Sequence, residues 1–131
     1  MQACIFCRVI EGAVPSYKVW EGESFYAFLD INPVNPGHVL LIPKKHVDFV
    51  FDLDDDSYQG LFNAAKRLGP LLKKAMNSKR VGMAIEGFGV PHVHVHLVPV
   101  NHRNELNPLR ARGASQEELK RVAALLQKTF A

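Results

Sequence analysis

A chain of 131 residues, 47% hydrophobic and 22% charged, has the composition of one ordinary globular domain. No apolar run approaches the roughly 20 residues of a membrane-spanning helix, and a net charge of +3 is too small to argue for nucleic acid. The opening stretch MQACIFCRVIEG lacks the apolar core of a secretory leader. A cytoplasmic, reducing setting is therefore expected, with Cys4 and Cys7 as thiols, metal ligands or a redox pair rather than a structural disulfide.

In chain order, residues 4–11 suit a short helical turn with Ile5, Phe6, Val9 and Ile10 as its apolar side. YKVWEGESFYAFLD (17–30) reads as two strands around a turn at Glu21–Glu23, and NPVNPG (32–37) as a loop. HVLLIPKK (38–45) is apolar enough to be a central strand. Residues 51–77 form the one long helix candidate, with Leu61, Ala65, Leu68, Leu72 and Ala75 at helical spacing. Acidic residues crowd its start, and Gly69–Pro70 is expected to kink or interrupt it. DLDDDS (52–57) reads as capping of that helix rather than as a magnesium site.

RVGMAIEG (80–87) is a further strand, followed by a glycine turn into PHVHVHLVPV (91–100). Residues 101–114 are polar, basic and irregular. Ser115 and Glu118 make a capping box that opens a C-terminal helix to about residue 129. The expectation is an α+β fold: an antiparallel sheet of about five strands, one long helix and a C-terminal helix.

His92, His94 and His96 alternate with Val93, Val95 and Leu97. On a strand they share one face at intervals of roughly 6–7 Å. Such a row admits three readings: incidental histidines, a three-histidine zinc site, or a nucleophile with neighbours that position and protonate. A neutral imidazole is nucleophilic at pH 7, and imidazole and backbone N–H groups can stabilise phosphoryl oxygens without Mg²⁺.

The triad H-φ-H-φ-H-φ-φ, together with FLDINPVNPGHVLLIPKKH (28–46) upstream, resembles the histidine triad (HIT) family of nucleotide hydrolases and transferases. The resemblance covers about residues 3–100 of a single domain spanning 1–131, and 101–131 is the variable part. It implies a HIT-like fold with His94 as the nucleophile that attacks the α-phosphorus and forms a nucleotidyl-histidine. It also implies His96 at the phosphate and bridging atom, His38 as a supporting histidine and Asp30 at the ribose hydroxyls. Ile5, Phe6, Val9, Phe28 and Ile31 match positions that wall the nucleoside, although Val9 and Phe28 read equally well as core. Dinucleoside polyphosphates or nucleoside phosphoramidates of a purine are the implied substrates, and a homodimer the implied assembly.

C-x-x-C alone is ambiguous. Some family members, including galactose-1-phosphate uridylyltransferases, bind structural zinc at positions that fall here on Cys4, Cys7, His46 and His92. Cys₂His₂ is a closed tetrahedral set, so such a metal is structural. Two departures qualify the resemblance. Phe88 and Gly89 in EGFGVPH (86–92) stand where many members carry the Gln and Ser or Thr that touch the leaving group. The segment NHRNELNPLRARGAS (101–115), with Arg103 able to reach either a distal phosphate or solvent, is not that of the phosphoramidase branch. A nucleotidyltransferase is the second reading, disfavoured because the uridylyltransferase branch has Gln where this chain has His96. A nucleotide-binding adaptor with incidental turnover is the third.

Overall fold

The computed structural model describes residues 4–131, so residue 3, the expected start of the domain core, lies outside the described residues. The elements are α1 (Ile5–Ile10), β1 (Lys18–Glu21), β2 (Phe25–Leu29), β3 (Val39–Pro43), α2 (Asp55–Met76), β4 (Arg80–Ala84), β5 (Val95–Val100) and α3 (Gln116–Phe130). Two single turns of 3₁₀ helix, at Val50–Asp52 and Pro108–Arg110, sit in the connections. The five strands form one antiparallel sheet in the order β1-β2-β3-β5-β4. Fold class and most elements agree with the expectation.

Strand alternation builds two layers of core. Ala27 and Leu29 of β2, Val39 and Leu41 of β3, and Val95 and Leu97 of β5 face one way, against Leu61, Leu68 and Leu72 of α2 and Leu126 and Phe130 of α3. Tyr26 and Phe28 with Leu40 and Ile42 face the other way, against Phe6 and Val9 of α1. β3, third of five strands and covered on both faces, is buried throughout; this explains why its sequence is apolar without alternation.

Two expectations are corrected. α2 starts at Asp55 rather than 51 and runs unbroken through Pro70. The proline removes the hydrogen bond to the Lys66 carbonyl, but Lys66 and Pro70 are both exposed, so water can satisfy that oxygen. Leu61, Leu68 and Leu72, fully buried, hold the helix in place across the break. Asp54 caps α2, accepting from the Ser57 N–H at 2.7 Å and pairing with Lys45 at 2.9 Å. Those bonds hold its carboxyl down at about 2.

The second correction concerns the histidine row. β5 begins at Val95, so His92 and His94 precede the strand and only His96 lies on it. Alternation nonetheless persists through the bend: Val93 stays with the α2 layer, while His94 packs against Phe6 of α1.

Candidate active site and metal cluster

The backbone first brings His46 and His92 together. The Val93 N–H donates to the Val47 carbonyl at 2.8 Å, tying the stretch after β3 to the stretch before β5. α1 adds the cysteines: Cys4 is its N-cap, and its sulfur accepts from the Cys7 N–H. Cys7 Sγ lies 3.2 Å from His46 Nδ1 and 3.6 Å from His92 Nδ1, and Cys4 Sγ lies 3.5 Å from His92 Nδ1. The two Nδ1 atoms are 3.3 Å apart. All four ligand atoms lie within 4.8 Å of one another, with Cys4, Cys7 and His92 buried and His46 exposed.

These spacings are those of a tetrahedron around one ion. Zn–S near 2.3 Å and Zn–N near 2.05 Å give S–N edges of about 3.6 Å and N–N edges of about 3.4 Å. The tautomer fits as well. His92 Nε2 sits 2.8 Å from the Pro43 carbonyl, which only accepts, so Nε2 carries the proton and Nδ1 turns its lone pair on the cluster. Burial holds the His92 imidazole neutral, as a ligand must be. Burial and the adjacent Cys4 push the Cys7 thiol up to about 11, so binding a metal must displace a proton there.

His94, His38 and His96 are oriented by the same logic. His94 Nδ1 lies 2.7 Å from the His92 carbonyl, so Nδ1 donates and Nε2 keeps its lone pair. The Val34 N–H donates to His38 Nδ1 at 3.1 Å, which leaves the His38 proton on Nε2. That Nε2 lies 2.9 Å from His96 Nδ1, so His96 accepts there and presents Nε2–H as a donor. One imidazole thus offers an electron pair and its neighbour a proton, with ring centroids 5.2 Å apart.

Burial lowers the His38 pKa from 6.5 to about 4, with His96 adding to the effect and Asp30 opposing it. Burial and the neighbouring His94 lower His96 too, so the pair is neutral at pH 7. Asp30, His38 and His96 also form a compact trio. Here, however, the His–His distance is a hydrogen bond rather than an edge around a metal, and Asp30 Oδ2 stands 3.7 Å off. Gly37, at φ +85°, turns the chain into His38; a Cβ there would lie 2.8 Å from Met76, so the turn admits only glycine.

Two cavities flank His96. The first, of about 360 Å³, is in the range of small-molecule sites. Ile5, Phe6, Val9, Phe28, Ile31 and Asp30, all anticipated from the sequence, line it with His94 and His96. Ile5 and Ile31 are about half exposed, whereas Phe6, Val9 and Phe28 are buried and serve the core as well as the wall. The second, of about 260 Å³, shares Asp30 and His96 and adds Glu86 and residues after β5. Sequence reasoning missed Val14, Ser16 and Val90 of the first cavity and Glu86, Leu106 and Pro108 of the second. All lie outside the strands and α-helices, where no periodicity marks them.

Phe88 and Gly89 line neither cavity; Phe88 is 82% exposed. Arg103 lies with Lys79, Arg80 and His102 in a separate shallow depression.

The sequence matches a family model described as HIT domain over residues 11–103. An adenosine 5′-monophosphoramidase of Candida albicans is 37% identical, the match covering 74% of this chain and 70% of that protein. Among solved structures, a HIT-like protein of Bartonella henselae superposes with TM-score 0.85 at 26% identity, over 97% of this chain and 96% of that one. A zinc-bound histidine triad protein of Mycobacterium smegmatis gives 0.84 at 25% identity, over 98% and 93%. The fold, the paired histidines and these matches together establish that the chain belongs to the histidine triad family.

Proposed function

We propose that the chain, as a single HIT domain, hydrolyses a nucleoside monophosphate conjugate through a nucleotidyl-histidine on His94. The observation that carries this reading is the 2.7 Å contact of His94 Nδ1 with the His92 carbonyl, which aims an unprotonated Nε2 at the cavity beside His96. The nucleoside sits between Phe6, Phe28 and Ile31, with Asp30 accepting from its ribose hydroxyls. His94 Nε2 then donates its electron pair to the α-phosphorus, and the pair of the broken bond departs with the leaving atom. Water completes the cycle: its hydroxyl ends on phosphorus, its proton on the leaving group, and the N–P electron pair returns to His94.

His96 Nε2–H hydrogen-bonds the phosphoryl or bridging oxygen as charge develops. His38 holds the His96 tautomer, and no magnesium is needed in these roles. Cys4, Cys7, His46 and His92 hold a structural zinc that ties α1 to the ends of β3 and β5. The zinc-bound mycobacterial structure and the phosphoramidase name of the Candida relative support this reading. The same reading carries a purine nucleotide substrate, a cytoplasmic setting and a homodimer.

Turnover of a fluorogenic adenosine phosphoramidate and of diadenosine polyphosphates tests it. Tight binding of every nucleotide with turnover of none would make the protein an adaptor.

A further inference from the structure

The second cavity at the triad is a built compartment. Its roof is formed by Leu106, Pro108 and Ala111, from the segment that follows β5. That segment is fastened to the NPVNPG loop: an Arg110 guanidinium nitrogen donates to Asn35 Oδ1 at 2.6 Å, the Arg112 N–H to the Pro33 carbonyl and the Ala114 N–H to the Ile31 carbonyl. Leu106 packs on the backbone of β4 so closely that a Cβ at Gly82 would lie 3.0 Å from it. All three roof residues lie beyond the stretch 11–103 matched by the family model.

The disposition of the histidines assigns this compartment a place in the reaction. Displacement at phosphorus sets nucleophile and leaving group on opposite sides, roughly in line. His94 lines the first cavity and not the second, whereas His96 and Asp30 line both. A phosphoryl group held between His94 and His96, with its nucleoside in the first cavity, therefore directs its leaving group into the second. The chemistry of that cavity is one-sided. Its walls are largely apolar, its anionic groups are Asp30 and Glu86, and among the described residues no Lys or Arg lines it. Glu86 is exposed and therefore free to meet a ligand at the rim.

We propose that the second cavity is the leaving-group pocket, and that Glu86 selects leaving groups with an apolar stem and a positively charged end, such as alkyl amines, over phosphate chains. This rests on His94 acting as the nucleophile. A polyphosphate would meet two carboxylates and no cation, while an ammonium on an aliphatic stem meets the carboxylate of Glu86 after the stem has covered Leu106 and Val98.

The test compares kcat/KM for adenosine 5′-phosphate joined to 1,5-diaminopentane, to n-pentylamine, and to a second adenosine through a tetraphosphate. The protein should prefer the cationic tail to the neutral one about 5- to 20-fold, the effect of one partly exposed charge pair, and the preference should shrink in high salt. Glu86→Gln should bring the two amines within about twofold and Glu86→Lys should invert the order. Leu106→Trp, which fills the roof, should lower kcat/KM for both amines. Equal use of the two amines by wild type and Glu86→Gln, or faster turnover of the tetraphosphate, would overturn the pocket assignment while leaving His94 chemistry intact. Absence of both turnover and adduct with all three compounds would overturn the nucleotidyl-transfer reading itself, and the pocket with it.

Discussion

The Nδ1 of His94 donates to the carbonyl of His92, 2.7 Å away, and the ring of His92 belongs to the Cys₂His₂ cluster. His92 therefore belongs to the Cys/His cluster through its ring and orients the His94 imidazole through its own backbone. In the proposed mechanism, metal binding and chemistry fall to neighbouring histidines joined by this one hydrogen bond.

That link makes metal removal informative. Protein purified without a His-tag should carry close to one equivalent of zinc, and EDTA should lower its Tm. His92→Ala should lose metal and Tm together, because the site exists only in the folded chain. His94→Ala should change neither. Elemental analysis showing less than about a tenth of an equivalent of zinc, in protein never exposed to chelator, would return Cys4 and Cys7 to plain buried thiols.

The His38–His96 pair makes stability depend on pH in a set direction. His38 titrates near 4 in the fold and near 6.5 in the unfolded chain, so between these values the unfolded state binds the extra proton. Its contribution is complete above pH 6.5 and is lost as pH falls toward 4. It amounts to about 3 kcal/mol, and the lowered pKa of His96 acts in the same sense. Denaturation of zinc-saturated protein at several pH values measures the slope. His38→Gln should flatten it, and an equally steep slope in that variant would remove His38 as its source.

The walls of the first cavity, proposed to hold the nucleoside, separate into exposed and core residues. Ile31, at 57% exposed, has little packing to lose, so Ile31→Ala should raise KM several-fold with Tm nearly unchanged. Phe28, buried against Phe6 and Tyr26, serves both roles. Phe28→Ala should cost about 3–5 kcal/mol of stability as well as affinity. Thermal melts run alongside the kinetics distinguish the two outcomes.

Pro70 offers a test of the fold alone. Because α2 keeps its helical path and the site is exposed, Pro70→Ala should restore a donor to the Lys66 carbonyl and stabilise by about 1–2 kcal/mol. Urea denaturation reads this directly. A destabilised variant would mean that the proline ring makes packing contacts that the exposed position does not suggest.

Much of this was readable in the chain because it rests on local rules. The fully apolar β3, the spacing of Leu61, Leu68 and Leu72, and Ser115 capping α3 at the Glu118 N–H each follow from periodicity or capping. Of the candidate site residues, His94 and His96 stood out by residue type and alternation, and His38 through the family resemblance of its segment. What could not be read was the backbone that orients them. The carbonyls of His92 and Pro43 and the N–H of Val34 set the tautomers of His94, His92 and His38, and through His38 that of His96, yet main-chain groups leave no mark on sequence. The start of β5 was missed because alternation continues through the bend that precedes it. Pro70 misled because its local cost is overridden by leucines on the opposite face of the helix.

The most direct measurement is intact-protein mass spectrometry within seconds of mixing with an adenosine phosphoramidate, followed by peptide mapping. The account predicts a transient adduct of one adenylyl group on the peptide carrying His94. It predicts neither adduct nor turnover in His94→Ala, with zinc content and Tm as in the wild type. An adduct that persists in His94→Ala, or an unchanged rate in that variant, would contradict it.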